Sequence, residues 1–300
     1  MVSFRDDSIL NYSMFSPIIQ GSFCKKRKLA KVFHDALVPF AERRIRRMIF
    51  DSHAHYDDEQ FDEDREQLLN TMKEHGVGTI VNIGATLRSC ETTLVLAQKY
   101  PFIYAALGVH PDEVGDLNEE TFAWLKEQCR KEKVVAVGEI GLDYYWNKEA
   151  KEMQEKWFIR QLELARELQL PFSIHSREAA EDTMRIMKEH AADLRGVIHC
   201  FSYSPEQAEE YVKMGYYIGV GGVVTFKNGK KLKETVRRIP LERILLETDC
   251  PYLAPEPNRG KRNSSINLTY VAEEIARIKE ISYDEVVAQT EKNARELFGI

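Results

Sequence analysis

The sequence predicts an α/β protein whose single domain is a closed (β/α)8 TIM barrel, and three observations predict it. From Met48 onward, short apolar runs alternate with longer amphipathic segments. Eight of those runs are each followed by a helical pattern, which is the element count of such a barrel. Several runs are apolar throughout, as strands buried on both faces of a parallel sheet are. An open doubly wound sheet is the rival, but its GxGxxG fingerprint is missing after the first strand.

The elements follow in order. Strand one, 48–53, opens on Ile49 and Phe50, and the helical pattern 62–75 comes next. Strand two, 79–84, carries Ile80, Val81 and Ile83 before helix 88–99, and strand three, 103–109, precedes helix 118–131. Strand four, 134–139, runs through Val134, Val135 and Val137 and leads to helix 149–168. Pro171 opens strand five, 171–175, which is followed by helix 177–190. Strand six, 196–200, precedes helix 205–214, where Pro205 suits the first turn. Strand seven, 216–221, precedes helix 229–238, and strand eight, 244–248, precedes helices 267–279 and 283–297. Gly219, Gly221 and Gly222, at the end of strand seven, lack the acidic partner of a dinucleotide site and read as close packing.

Composition narrows the function classes. With 43% hydrophobic and 30% charged residues, the chain has the makings of a sizeable core, and no apolar stretch approaches the roughly 20 residues of a membrane helix. The five cysteines (Cys24, Cys90, Cys129, Cys200 and Cys250) are scattered without a CxxC, which predicts reduced thiols and a cytoplasmic protein. A net charge of −6 argues against a general duplex-DNA binder. Residues 1–47 nevertheless hold ten Lys or Arg against four Asp or Glu, including Lys25-Lys26-Arg27-Lys28. We read 1–47 as a poorly ordered extension or a start placed too early, in preference to a nucleic-acid-binding arm or a targeting peptide. The domain then occupies 48–300.

The chemistry lies at the strand ends. His53 and His55 are two apart on strand one, so their imidazoles leave one face together. Glu139 emerges from strand four, His175 ends strand five, His199 ends strand six and Asp249 follows strand eight. All point towards one mouth, the end of the barrel where chemistry is placed. Four imidazoles and two carboxylates meeting there without a metal would cost several kcal/mol, whereas together they can hold two divalent cations about 3.5–4 Å apart. Mixed imidazole and carboxylate donors suit Zn, Mn, Fe or Ni, with Mg less comfortable. Cys200 and Cys250 adjoin these positions, but strand alternation turns them away, and they read as packing. Asp51 reads as a group that orients a ligand from behind.

His53-Ala54-His55, Gly138-Glu139-Ile140-Gly141-Leu142-Asp143, His175-Ser176-Arg177, His199-Cys200-Phe201-Ser202, Glu247-Thr248-Asp249-Cys250-Pro251-Tyr252-Leu253 and Arg259-Gly260-Lys261-Arg262-Asn263 resemble the signature motifs of TatD-family metal-dependent deoxyribonucleases, within the amidohydrolase-like barrels. The resemblance runs from Met48 to the last helix. It implies that His53, His55 and Asp249 hold one metal, that His175 and His199 hold a second, and that Glu139 bridges them. The pattern is departed from at Tyr203, where the family has Gly, and at Ser264-Ser265, where it has Glu-Pro.

The expected activity is hydrolysis of DNA phosphodiesters, as a 3′-5′ exonuclease acting on single strands or 3′ ends, with Asp249 taking the proton of the attacking water. DNA and polarity rest on the resemblance alone. Arg177, Arg259, Lys261 and Arg262 are expected to handle phosphate, and His110 to contact substrate. Tyr144, Tyr145 and Trp146 would either stack bases or cap the barrel. Two rivals are a barrel hydrolase of small amides, esters or lactones, and a non-catalytic metal- or nucleic-acid-binding protein. No membrane association and no obligate protein partner are expected.

Overall fold

The computed structural model describes residues 47–300, so the expectations for the basic segment 1–47 lie outside the described residues except at Arg47, which is exposed. The eight expected strands form one parallel sheet in sequence order. They are β1 (Ile49–Ala54), β2 (Val77–Gly84), β3 (Ile103–Leu107), β4 (Val134–Asp143), β5 (Phe172–Arg177), β6 (Gly196–Ile198), β7 (Tyr217–Val220) and β8 (Ile244–Leu246). The sheet curls until β8 meets β1, where the Asp249 amide donates to the His53 carbonyl (2.9 Å) and the His55 amide to the Cys250 carbonyl (2.8 Å). Helices lie between the strands, so the fold is the predicted (β/α)8 barrel.

The helices are α1 (Arg65–Thr71), α2 (Leu87–Lys99), α3 (Glu119–Cys129), α4 (Lys151–Leu168), α5 (Ala180–His190), α6 (Pro205–Lys213), α7 (Lys230–Arg238), α8 (Leu268–Lys279) and α9 (Tyr283–Phe298). Reciprocal side-chain caps at Thr86/Ser89, Asn118/Thr121, Ser204/Gln207 and Ser282/Glu285 fix where four of them start. None among the described residues is long and apolar enough to cross a membrane. Early strand residues such as Phe50, Val135, Val197 and Tyr217 pack in one cluster with Leu297 and Phe298 of α9. The Phe50 and Phe298 rings stack at 5.9 Å. The same cluster takes in Val81, Ile83, Ala106 and Leu245, so it joins the strands to α9 beneath the polar mouth.

Several boundaries differ from expectation. β4 continues to Asp143 because Ile140, Gly141, Leu142 and Asp143 stay paired with Ile174, His175, Ser176 and Arg177 of β5. Arg177 therefore belongs to a strand, and α5 begins at Ala180. β8 stops at Leu246 because the Asp51 side chain then takes over the pairing: its Oδ1 accepts from the Thr248 amide (3.0 Å) and its Oδ2 from the Thr248 hydroxyl (2.7 Å). The first helix shortens to Arg65–Thr71 and is preceded by a 3-10 turn at Glu59–Phe61 capped by Asp58. Two of the glycines that permit close approach lie beside the strand ends. A Cβ at Gly141 would lie 1.9 Å from the His175 carbonyl oxygen, and one at Gly219 would lie 2.2 Å from Glu247 Oε2.

Candidate metal centre

The six expected ligands meet at the C-terminal mouth of the barrel. The Nε2 atoms of His53 and His55 are 3.2 Å apart, as their shared strand face requires. Glu139 Oε2 lies 3.5 Å from the first and 3.7 Å from the second. Asp249 Oδ1 lies 3.8 and 3.4 Å from the same two nitrogens. A tetrahedron with metal–ligand bonds of about 2.1 Å has edges of about 3.4 Å. The separations among His53, His55 and Asp249 (3.2, 3.8 and 3.4 Å) scatter around that edge, so these three side chains could share a single cation, with Glu139 beside the two histidines.

The other oxygen of Glu139 serves a second group. Its Oε1 lies 2.8 Å from His175 Nδ1 and 2.7 Å from His199 Nε2, and those two nitrogens are 3.4 Å apart. One carboxylate thus faces two histidine pairs, one through each oxygen. Nitrogen and oxygen donors in this mixture suit Zn, Mn, Fe or Ni. The trio here sits at hydrogen-bond spacing, with Glu139 accepting from both rings.

Partners behind the ligands hold them in place. His55 Nδ1 bonds the Ile83 carbonyl (3.0 Å) and His53 Nδ1 the Ser173 hydroxyl (3.2 Å). His175 Nε2 meets Asp143 Oδ2 at 2.9 Å. Glu247, which sequence reading left without a role, is fully buried and brings a carboxylate oxygen within 4.8 Å of ring nitrogens of His53 and His199. Glu247 Oε2 and His199 Nδ1 are both buried with no hydrogen-bond partner. Asp143 was also missed as a contributor. The signal was its spacing, since four residues beyond Glu139 on a strand is the same face.

Asp51 reaches this centre through the backbone. Its Oδ2 also accepts from Ser265 Oγ (2.6 Å), and Ser265 Oγ in turn meets the Tyr56 hydroxyl (2.9 Å). Ser265, a departure from the family pattern, therefore stitches the loop after β8 to β1. Tyr203, the other departure, accepts from the Ala179 amide (3.2 Å) and bonds Ser176 Oγ (2.9 Å), pinning the turn after β5.

Electrostatics follow from this crowding. Burial, helped by His199, pushes His53 down to about 4, so its ring is neutral near pH 7. Burial opposes a charge on His55, but Asp249 and Glu139 outweigh it and raise His55 to about 10. The same contest at His175, between burial and the two carboxylates Asp143 and Glu139, ends at about 9. Burial is overcome at Asp249 too, where His55, His199 and His53 hold the carboxyl down at about 2. Protons and cations compete for these donors, so binding a metal releases protons.

The cluster opens into a cavity of about 680 Å3 lined by His55, Glu139, His175, His199 and Asp249. His110 and Arg177 line it as well. His110 Nδ1 accepts from the Asp112 amide (3.2 Å), so its proton sits on Nε2, and its ring meets that of His175 edge-on at 4.3 Å. Arg259, Lys261 and Arg262 are not among the lining residues. Arg262 forms a fork with Asp64 (2.8 and 2.6 Å), Arg259 lies over Phe226 (4.2 Å), and the Lys261 amide bonds the Asn258 carbonyl (3.0 Å). Cys250 is buried as expected, but Cys200 lines the cavity. β6 ends at Ile198, so strand alternation no longer applies at Cys200, whose φ is +45°. Tyr144 packs inward and bonds Asp182 (3.1 Å), whereas Tyr145 and Trp146 are exposed.

Comparison with known proteins agrees with this geometry. The sequence model of a family described as TatD related DNase matches residues 50–299. The chain is 47% identical over 254 residues to the metal-dependent hydrolase YabD of Bacillus subtilis, covering 84% of this chain and 100% of that one. It is 34% identical over 259 residues to the 3′-5′ ssDNA/RNA exonuclease TatD of Erwinia amylovora, covering 84% and 100%. The crystal structure of YjjV, a TatD homologue from Escherichia coli, superposes with a TM-score of 0.80 at 32% identity, over 85% of this chain and 99% of that one.

Proposed function

This chain belongs to the TatD family of metal-dependent hydrolases, and we propose that it cleaves the phosphodiester bonds of DNA, removing nucleotides from a single-stranded 3′ end. Two divalent cations would be held, one by His53, His55 and Asp249, the other by His175 and His199, with Glu139 shared. The observation that carries this reading is Glu139, one buried carboxylate whose two oxygens face two different histidine pairs. DNA and the 3′ polarity are supported by the name of the Erwinia relative.

Bound there, divalent cations supply Lewis acidity for phosphoryl oxygens and lower the pKa of a water towards about 7. Asp249 would be the group placed to accept a proton from the attacking water. Its side chain is 19% exposed against 6% for Glu139, so solvent reaches it, and its neighbours keep it ionised. Arg177 offers a guanidinium to the phosphate from the cavity wall. His110, protonated on Nε2, donates a hydrogen bond to the substrate. The catalytic domain spans 48–300; the unpaired cysteines among the described residues fit a reducing cytoplasm, and since one chain provides the whole cluster, no obligate partner is required.

Chelated protein should be inert, and metal return should restore release of mononucleotides from the 3′ end of a single-stranded DNA oligonucleotide. Duplex DNA, an RNA oligonucleotide and a panel of esters and lactones run beside it. Metal-dependent turnover of the esters or lactones with intact DNA would replace this reading by that of a small-molecule hydrolase.

A further inference from the structure

Single exposed apolar side chains are ordinary, but several gathered in one place mark a surface that something covers. Apart from Val95, Met153 and Tyr270, every large apolar side chain exposed among the described residues lies at the mouth of the cavity. Trp146 (66% exposed), Tyr252 (51%) and Leu253 line the cavity itself, and Tyr145 packs edge-on against Trp146 at 4.8 Å.

These residues are held, not loose. The Asp143 carboxylate has two jobs: its Oδ2 meets His175, and its Oδ1 accepts from the amides of Tyr145 (2.9 Å) and Trp146 (3.1 Å). The turn that carries the aromatics is therefore built on the group behind a candidate metal ligand. Arg177, whose carbonyl accepts from the Tyr144 amide (3.0 Å), lays its guanidinium over Tyr145 at 3.9 Å. Across the mouth the Tyr252 hydroxyl donates to Asp58 Oδ2 at 2.9 Å. The Leu253 backbone has φ +53°, a conformation a γ-branched residue rarely adopts, and its side chain faces the cavity.

We propose that Trp146 on one side and Tyr252 with Leu253 on the other form a stacking subsite for an unpaired nucleobase at the strand end, with Arg177 beside it for the adjoining phosphate. This deepens the proposed function and rests on it for the class of substrate. Charge complementarity selects the occupant. The cation of the wall is on the Arg177 side, while Asp57 and Asp58 line the opposite side, so an anionic backbone runs along the first and its base projects across the mouth. The subsite touches base faces and leaves base edges unread, so it tolerates any sequence but excludes a base still paired in a duplex.

The test is a double-mutant cycle on the metal-loaded full chain. Wild type and Trp146→Ala are each given a single-stranded oligonucleotide with either a normal or an abasic 3′-terminal residue. Stacking contributes about 1–3 kcal/mol per base, so removing either the base or the indole should lower kcat/KM about 5–150-fold, mostly through KM. Removing both should cost little more than removing one. Additive losses, or no loss from either change, would overturn the subsite. Binding is read separately, by quenching of tryptophan fluorescence with an oligonucleotide whose 3′ linkages are phosphorothioates. Quenching by the wild type that disappears in Trp146→Phe supports the subsite even if no DNA is hydrolysed, an outcome that would defeat the proposed function alone. Absence of quenching in the wild type overturns the subsite.

Discussion

Replacing Asp51 by alanine should weaken the barrel where β8 closes on β1. Four donors converge on this buried carboxylate: the Thr248 amide (3.0 Å), the Thr248 hydroxyl (2.7 Å), the Ser265 hydroxyl (2.6 Å) and, more weakly, the His53 amide (3.3 Å). The hydroxyls have fallbacks, since Thr248 Oγ1 still reaches the His53 carbonyl (3.3 Å) and Ser265 Oγ still meets Tyr56 (2.9 Å). The Thr248 amide, which lies beyond the end of β8, has no other acceptor among the described residues. An orphaned buried amide costs about 1–3 kcal/mol, and each lost bond to a charged acceptor about 1.5–3 kcal/mol before fallbacks are counted. Against this, one buried charge is removed, and burial already pushes the Asp51 carboxyl up to about 6 despite its four donors. The net expectation is a loss of about 3 kcal/mol, large beside a total stability of about 5–15 kcal/mol. Urea denaturation near pH 7.5 measures it, as a midpoint about 1 M or more lower at unchanged slope. Ser265→Ala, which leaves three of the four donors, should cost about a third as much. A midpoint for Asp51→Ala within a few tenths of a molar of wild type would refute the reasoning.

Three further outcomes follow from the same geometry. Asp249→Asn keeps an oxygen for the first cation but loses the proton acceptor, so turnover on single-stranded DNA should fall about 10²–10⁴-fold with metal content near wild type; equal turnover would remove Asp249 from the proton transfer. Asp143→Asn weakens the carboxylate behind His175 and should lower metal affinity about 10–100-fold, read by competition with a chromogenic chelator; wild-type affinity would show that Asp143 serves only the turn it caps. Tyr216 donates to the Ala191 carbonyl (2.6 Å), and burial raises its hydroxyl from 10.0 to about 12. A raised pKa in the folded state means that its contribution is complete below pH 10 and lost as pH rises through 12. Wild-type stability in urea should therefore fall more steeply than that of Tyr216→Phe between these pH values, and parallel curves would contradict this.

The barrel was legible because its strands are short, apolar and separated by amphipathic stretches of regular length, and the six candidate ligands because they end such strands. What was hidden lay in interactions that no local pattern encodes. β8 reads as continuing to Thr248, yet a side chain from β1, almost two hundred residues earlier, replaces the strand pairing there. Alternation turns Cys200 away from the mouth only while the chain is a strand, and β6 ends two residues before it. Arg259, Lys261 and Arg262 follow the last strand as phosphate handles would, but whether a loop charge turns inward depends on partners such as Asp64, which sequence spacing does not reveal. Asp143 and Glu247 stood inside recognisable motifs; their parts became visible only when Asp143 was found behind His175 and Glu247 between His53, His199 and the space left by Gly219.

The most direct check of the whole account is a count of divalent cations per chain in protein saturated with metal and freed of excess, by inductively coupled plasma mass spectrometry, for wild type beside Glu139→Gln. Two per chain in the wild type, falling to one or none when the shared carboxylate is neutralised, is the expected result. One or none in the wild type, or two retained in Glu139→Gln, would contradict it.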